Sequence, residues 1–504
     1  MLLQEYTGGT VGKENFIKEF RDNQEEQRRI VSMGIRSCCS GNIGARELIR
    51  TLIRSFLWND LTISEKQRYM LVPFDEPRRM TAWQMLETLI YCFDQEKEQQ
   101  GFRLLCEKFC WNRHGLVISE EIMEEAYRQC SPLLTPEDEV NIITQILYAD
   151  TVGLGIIDTL NQQKGFIEEI QIGMSGKTEQ KYDYKTILLE SRREELFSRD
   201  GIHIMTGGST VWWKCLSFEK EEEMQRILRN LVKDSQAGEL TKNNPMLVVD
   251  TVDGRRVSVS RPPVTDTWVG LIRKFDTVKD VSLEKLYGGY PEGTVLIDLI
   301  RRLVHSGKNI AITGEMASGK TTLFRACLAE TEKNLNIRVV EVDSFELNVR
   351  SFLPEANVLT LRVTEQTPAE DVLAFARKTT GQIFAIGEIN SAAVANMAMD
   401  LSKIASQLFF SAHYITTEHM IADFINAKLC IGGYSKESMA ELDVVRCLGY
   451  DIHLCSKQGR RYVQYINEII PVTPKYDAKE RSYCIREIYR YDEKLGEGVL
   501  INAP

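Results

Sequence analysis

Gly314, Gly319, Lys320 and Thr321 stand at the spacing G-x-x-x-x-G-K-T within the segment GEMASGKT. Glycines at those two places let a short loop turn its backbone N–H groups inward around phosphate oxygens, while the lysine reaches the terminal phosphates and the hydroxyl is a ligand for magnesium. The flanking sequence suits that chemistry. NIAIT, at 309–313, reads as a strand running into the loop, and KTTLFRACLAET reads as a helix whose N-terminus adds positive potential. The expected phosphate-binding segment is therefore Gly314, Glu315, Met316, Ala317, Ser318, Gly319, Lys320, Thr321 and Thr322. Its expected ligands are ATP and Mg2+, with Thr321 as the metal-ligating hydroxyl.

Phosphoryl transfer also needs carboxylates to order water or metal beside such a loop. Glu388, at the end of the apolar run IFAIGE, fits that need, and Asp343 and Glu346 form an acidic cluster just beyond the strand RVVEV. His413 closes the apolar run LFFSAH. All four fall where strands end, the edge at which ligands bind in open α/β sheets. Each taken alone would also suit an ordinary strand end or a solvated turn, and His419, in the segment after His413, reads as surface or packing.

The elements that must position these residues are legible as changes of period. The first ~130 residues repeat apolar positions at helical spacing: Leu48, Leu52 and Phe56 beside Ile49, Ile53 and Leu57, then Ala82, Leu86, Leu89 and Phe93, then Phe102, Leu105 and Phe109. Thr135-Pro136-Glu137-Asp138 opens a further helix with an N-cap threonine, a first-turn proline and acids at the positive end of the dipole. From about residue 156 strands enter. FIEEIQIG alternates, HIMT and VWWKCLSF flank Gly207-Gly208, and LVVD and RVSVS flank Asp253-Gly254 as a hairpin. VSLEKLYGGYPEG reads as a connection, and after residue 294 helix and strand alternate, which predicts a largely parallel sheet covered by helices. Thr367-Pro368-Ala369-Glu370 reads as a capping box opening a helix over 369–380, and CLGYDIHLC with RRYVQYINEII as an antiparallel hairpin. The boundaries drawn are a helical segment over 1–130, an α+β domain over 131–276, a linker over 277–293 and an α/β P-loop domain over 294–504.

Composition narrows the function classes. The chain has 504 residues, 43% apolar and 27% charged, in the range of globular proteins. A net charge of −10 argues against a nucleic-acid-coating role, so no nucleic-acid partner is expected. Neither a secretory signal nor an apolar run long enough to span a membrane is visible, and a cytoplasmic protein is expected. The 12 cysteines include no C-x-x-C pair, and the late group Cys430, Cys447, Cys455 and Cys484 lacks zinc-site spacing, so free thiols are expected.

In this order the P-loop, the acidic box, the strand ending Gly-Glu and the strand ending in His resemble the type II/type IV secretion ATPase superfamily. The likeness is nearest to CpaF-type ATPases of tight-adherence (Flp) pilus systems. GLGIIDTL, FIEEIQIG, DGRRVSV and GLIRKFD look like that family's N-terminal domain, and the resemblance covers roughly residues 130–470. It implies a RecA-like P-loop core preceded by an α+β domain, a homo-hexameric ring with ATP between the two domains, and a motor that drives pilin assembly. That motor would work at the inner face of the cell membrane through an inner-membrane platform protein. It further implies that Glu388 is the Walker B glutamate, that Asp343 and Glu346 belong to the acidic box and that His413 is the His-box histidine. By the same likeness Arg256 and Arg273 reach nucleotide phosphates.

The chain departs from the family pattern at several charges. Asn390 and Glu370 replace arginines, Gln382 an aspartate and Val342 the first acid of the box, and Tyr414 and Ile415 follow His413 in place of a small residue and asparagine. The phosphate-binding part is intact while the catalytic part is eroded. Three readings follow: a secretion or pilus motor, a nucleotide-binding scaffold of such a machine with little turnover, and a P-loop kinase or DNA-translocating ATPase, against which the family-like N-terminal domain and the acidic charge count.

Overall fold

The computed structural model describes residues 34, 43–94, 99–174, 178–180, 196–199, 201–218, 220–233, 238–251, 254–275, 282–332, 334–342, 346–364, 366–432, 434, 436–457, 460–472 and 481–502. Asp343 and Asp253 lie outside the described residues. The chain divides into two compact units, Met1–Thr277 and Val278–Pro504.

In the first unit, amphipathic helices Ile43–Ser55, Ala82–Asp94, Gly101–Phe109, Glu120–Cys130 and Pro136–Thr151 are followed by a mostly stranded stretch. Strands β1 (Ile167–Ile172), β4 (His203–Thr206), β5 (Ser209–Trp212), β6 (Met246–Asp250), β7 (Arg256–Ser260) and β8 (Val269–Arg273) form a sheet in the order β5-β4-β1-β8-β7-β6. Two short strands, β2 (Thr178–Gln180) and β3 (Leu196–Ser198), pair with each other. The main hydrophobic cluster runs from Leu57 to Ile272 and takes residues from both helices and strands, and Ala45, Ile49 and Tyr148 form a smaller one. Thr135 caps the helix Pro136–Thr151 in a reciprocal box with Asp138, as its sequence predicts. The first helical stripe is rotated from its expected setting. Ala45, Ile49 and Leu57 are buried, but Phe56 is 53% exposed because a π-helical turn, Phe56–Asp60, follows the helix.

The second unit is built on nine strands in the order β11-β10-β12-β13-β9-β14-β15-β16-β17. They are β9 (Ile310–Gly314), β10 (Asn336–Val342), β11 (Asn357–Val363), β12 (Ile383–Ile389), β13 (Gln407–Ala412), β14 (Tyr450–Lys457), β15 (Arg460–Pro471), β16 (Tyr483–Asp492) and β17 (Glu497–Leu500). The run from β11 to β14 is parallel throughout, and β14 through β17 are antiparallel to one another. One strand, β13, separates the P-loop strand β9 from β12, which carries Glu388; this is the RecA-like arrangement. Helices cover both faces. Gly293–His305 and Lys320–Ala329 pack into one apolar cluster, and Ala369–Ala376, Ala392–Ser402, Thr417–Ile431 and Glu437–Cys447 pack into another. Strands buried on both sides explain the continuous apolar runs IFAIG and LFFSA.

One local expectation is corrected and another is met and extended. The helix after Thr367 spans Ala369–Ala376 with Pro368 at its N-cap, and no side chain caps it. Thr367 instead turns back on Thr364, the two exchanging backbone hydrogen bonds of 3.0 and 3.2 Å, and Pro368, which has no side-chain acceptor, takes the cap position. The antiparallel hairpin near the end is present but continues into β16 and β17.

Candidate functional site

At the end of β9 the chain enters the loop at Gly314, whose φ is +137°, passes Ala317 at +60° and leaves through Gly319 at +96°. These left-handed settings, which favour glycine, bend the loop around a central hollow. A Cβ on Gly314 would overlap the Leu454 carbonyl oxygen of the neighbouring strand, so this position is closed to any side chain. Ser318 is buried, and its hydroxyl donates to the Glu315 carbonyl at 2.8 Å, pinning the loop's curl. Gly319 is the N-cap of Lys320–Ala329, whose first-turn N–H groups have no partners within the helix. Thr321 and Thr322 are half-buried on that first turn, while Glu315 and Met316 are exposed at the loop's tip.

Lys320 is buried and lies along the loop. Its Nζ donates to the carbonyls of Gly314 at 3.1 Å and Glu315 at 2.6 Å, and lies 3.1 Å from His413 Nδ1. The other ring nitrogen, His413 Nε2, is 3.1 Å from Glu388 Oε1. An ammonium only donates, so Nδ1 accepts and the ring carries its proton on Nε2, pointed at the carboxylate. Three of the residues read from sequence thus form one line from the first residue of the helix Lys320–Ala329, past the end of β13, to β12, with His413 bridging Lys320 to Glu388. Both His413 and Glu388 retain 38% side-chain exposure, so a substrate can reach them.

Glu346 sits beyond β10, and its backbone N–H donates to Glu341 Oε2 at 3.1 Å; the next N–H, of Leu347, donates to Glu341 Oε1 at 2.9 Å. Glu341 is therefore the carboxylate that ties the Glu346–Leu347 backbone to β10, a residue sequence reasoning passed over. Burial pushes its carboxyl up to about 7, against the pull of those backbone donors. An acid inside the apolar strand IRVVEV was the available signal.

Among the residues that depart from the family pattern, Asn390 and Glu370 are exposed. Gln382 accepts the Asn336 backbone N–H at 3.1 Å, and Tyr414 packs against the second apolar cluster. Arg256 and Arg273 belong to the first unit. They face one another as a cross-strand pair on β7 and β8, both within 6 Å of the Phe275 ring, and Arg256 Nε lies 3.6 Å from Asp250 Oδ1.

No family model matches the chain. An uncharacterized protein of Bacillus anthracis is 21% identical over 387 residues, covering 71% of this chain and 79% of that protein. Solved structures with similar chains include the VirB11 ATPase of the Brucella suis type IV secretion system, 14% identical with a TM-score of 0.31 over 60% of this chain and 88% of that one. The pilus retraction motor PilT with bound ADP is 14% identical, with a TM-score of 0.39 over 67% of this chain and 80% of that one. The Legionella pneumophila ATPase DotB is 13% identical, with a TM-score of 0.41 over 68% and 80%. Among the described residues no helix is long and apolar enough to cross a membrane.

Proposed function

We propose that this chain binds ATP at residues 314–322 and hydrolyses it, as the motor subunit of a type II/type IV secretion or Flp-type pilus assembly machine. The observation that carries the reading is the line Lys320–His413–Glu388 at the mouth of a closed-in phosphate loop. In it a cation for the terminal phosphates, at a helix N-terminus, and a base for water, at a strand end, are joined through one histidine. The curled loop and the N-terminus of Lys320–Ala329 offer backbone donors for phosphate, and Gly314 lets the loop start against the Leu454 carbonyl, where no side chain fits. Thr321 would hold Mg2+, which supplies charge neutralisation to the β and γ oxygens.

On this reading Lys320 exchanges its loop carbonyls for phosphate oxygens. Glu388 takes a proton from the water that attacks the γ phosphorus as the β–γ bridging bond breaks, leaving ADP and phosphate. His413 Nε2–H orients the carboxylate, Glu341 holds the backbone of Glu346, and Asp343 and Glu346 are the acidic-box residues of this reading. Arg256 and Arg273 are the further phosphate-binding residues, and the working form is a CpaF-type homo-hexamer at the inner face of the membrane, docked on a platform protein. The exposure of Asn390 and Glu370, where an arginine would add charge, favours the second reading of a nucleotide-binding scaffold with slow turnover.

ATP hydrolysis by the wild type, Lys320→Ala and Glu388→Gln separates these readings. Lys320→Ala is expected to weaken nucleotide binding, and Glu388→Gln to bind ATP but hydrolyse it on the order of 100-fold more slowly. A wild type no faster than either variant defeats the motor reading in favour of the scaffold.

A further inference from the structure

Behind the phosphate loop lies a buried polar cluster that the reaction as described does not use. Asp451, on β14, is completely buried, and among the described residues no cation forms an ion pair with it. Its two oxygens are engaged in opposite directions. Oδ1 accepts the hydroxyl of Thr313 at 2.6 Å, and Thr313 is the residue that leads β9 into Gly314. Oδ2 accepts the hydroxyl of Thr417 at 2.6 Å, in the first turn of the helix that follows His413. Thr417 in turn accepts Asn467 Nδ2 from β15 at 2.9 Å.

A second ring extends the cluster. His453 stands two residues beyond Asp451 on the same face of β14, with its Nδ1 2.8 Å from the Thr313 hydroxyl oxygen and its ring stacked on Tyr465 at 4.5 Å between centroids. Burial first, and then the nearby Lys320 charge, hold its imidazole down to about 4, so it is neutral under ordinary conditions. A hydroxyl has one proton to give. With that proton donated to Asp451, Thr313 must accept from His453 Nδ1–H, and every hydrogen in the cluster has one direction.

A buried carboxylate without a cation costs stability, and packing alone would be served better by an apolar side chain. What aspartate adds at this place is two acceptors able to take two hydroxyls from two elements at once. We propose that Asp451 is a positioning residue for the nucleotide site. Through Thr313 it fixes the entry of the phosphate loop, and through Thr417 it fixes the segment carrying His413, so that the Lys320–His413 separation is set from behind. The inference rests on nucleotide binding at residues 314–322.

The test uses the full chain and a fluorescent ATP analogue, with turnover measured in parallel. Thr313→Val keeps the shape and removes one arm; it is expected to weaken nucleotide affinity roughly tenfold, and Thr313→Ser to recover most of that loss. Thr417→Val removes the other arm and is expected to lower turnover at saturating ATP roughly tenfold with affinity changed less than about twofold, because it acts through His413. Should Thr313→Val not fold, Asp451→Asn takes its place: one of the two hydroxyls then faces an NH2 group and loses its acceptor, and at least one of the two defects is expected. Variants that melt earlier yet keep wild-type affinity and turnover, measured while folded, overturn the inference and leave the function standing. A wild type that binds no nucleotide overturns both.

Discussion

Gly314 shows most directly how one residue ties sequence to chemistry. Its φ of +137° and the Leu454 carbonyl facing its α-carbon exclude a methyl group on two independent grounds. Gly314→Ala is expected to weaken nucleotide binding at least tenfold and to cost about 2 kcal/mol or more of stability; an alanine variant with unchanged affinity and melting would refute the cradle geometry. Glu341 gives a prediction with a sign. Burial raises its carboxyl from an ordinary 4.5 to about 7, so the folded state holds the proton more tightly than the unfolded chain. The stabilisation this provides is complete below about pH 4.5 and is lost as pH rises through about 7, a swing of at most about 3 kcal/mol. Glu341→Gln does not titrate. The wild type should therefore lose stability relative to Glu341→Gln between pH 5 and 8, and a difference independent of pH in thermal melts would show that Glu341 is not buried as described. The curl of residues 314–319 was legible at this scale because G-x-x-x-x-G-K-T is a local spacing. Glu341, Asp451 and His453 were not, because what surrounds them comes from chain 5 to 140 residues away. The only local trace of the last two is a pair of polar residues at i and i+2 in the otherwise apolar YDIHL.

Among the elements, β13 carries the plainest energetic weight. All six of its residues are buried; Phe409 enters the cluster on one face of the sheet and Phe410 the cluster on the other. Phe409→Ala should cost about 3–5 kcal/mol, since its cavity would open between helices and strands that cannot close together. By contrast Thr135→Ala removes only the cap of Pro136–Thr151, and about 1 kcal/mol is expected. Urea unfolding of both variants checks the ranking; equal costs would mean that β13 is not the packed centre. An apolar run of this kind announces a strand buried on both faces, so the parallel core was readable. The pairing of β14 beside β9 was not, since a hairpin is a local signal and a parallel neighbour 140 residues earlier leaves no mark in either sequence. The cap expected at Thr367 failed for a related reason. The sequence T-P-A-E is compatible with a box, but a tight turn with Thr364 took the backbone first.

For the whole molecule the decisive feature is where the cores close. The two apolar clusters of the second unit draw all their buried members from Leu283 onward, and the sheet they cover is complete from β9 to β17. Among the described residues, no side chain from before that point is a member of either cluster. At about 220 residues such a fragment is within the range in which one core stands alone. The phosphate loop, Glu388, His413 and the Asp451 cluster all lie inside it. Residues 282–502 expressed by themselves are therefore expected to fold, to melt cooperatively by circular dichroism, and to bind a fluorescent ATP analogue in a manner abolished by Lys320→Ala. A fragment without a cooperative melt would place part of its stabilisation in the first 277 residues and contradict the closure of these cores. One that folds but binds no nucleotide, while the full chain does, would mean that the phosphate loop alone is insufficient and that binding needs groups such as Arg256 and Arg273 from the first unit.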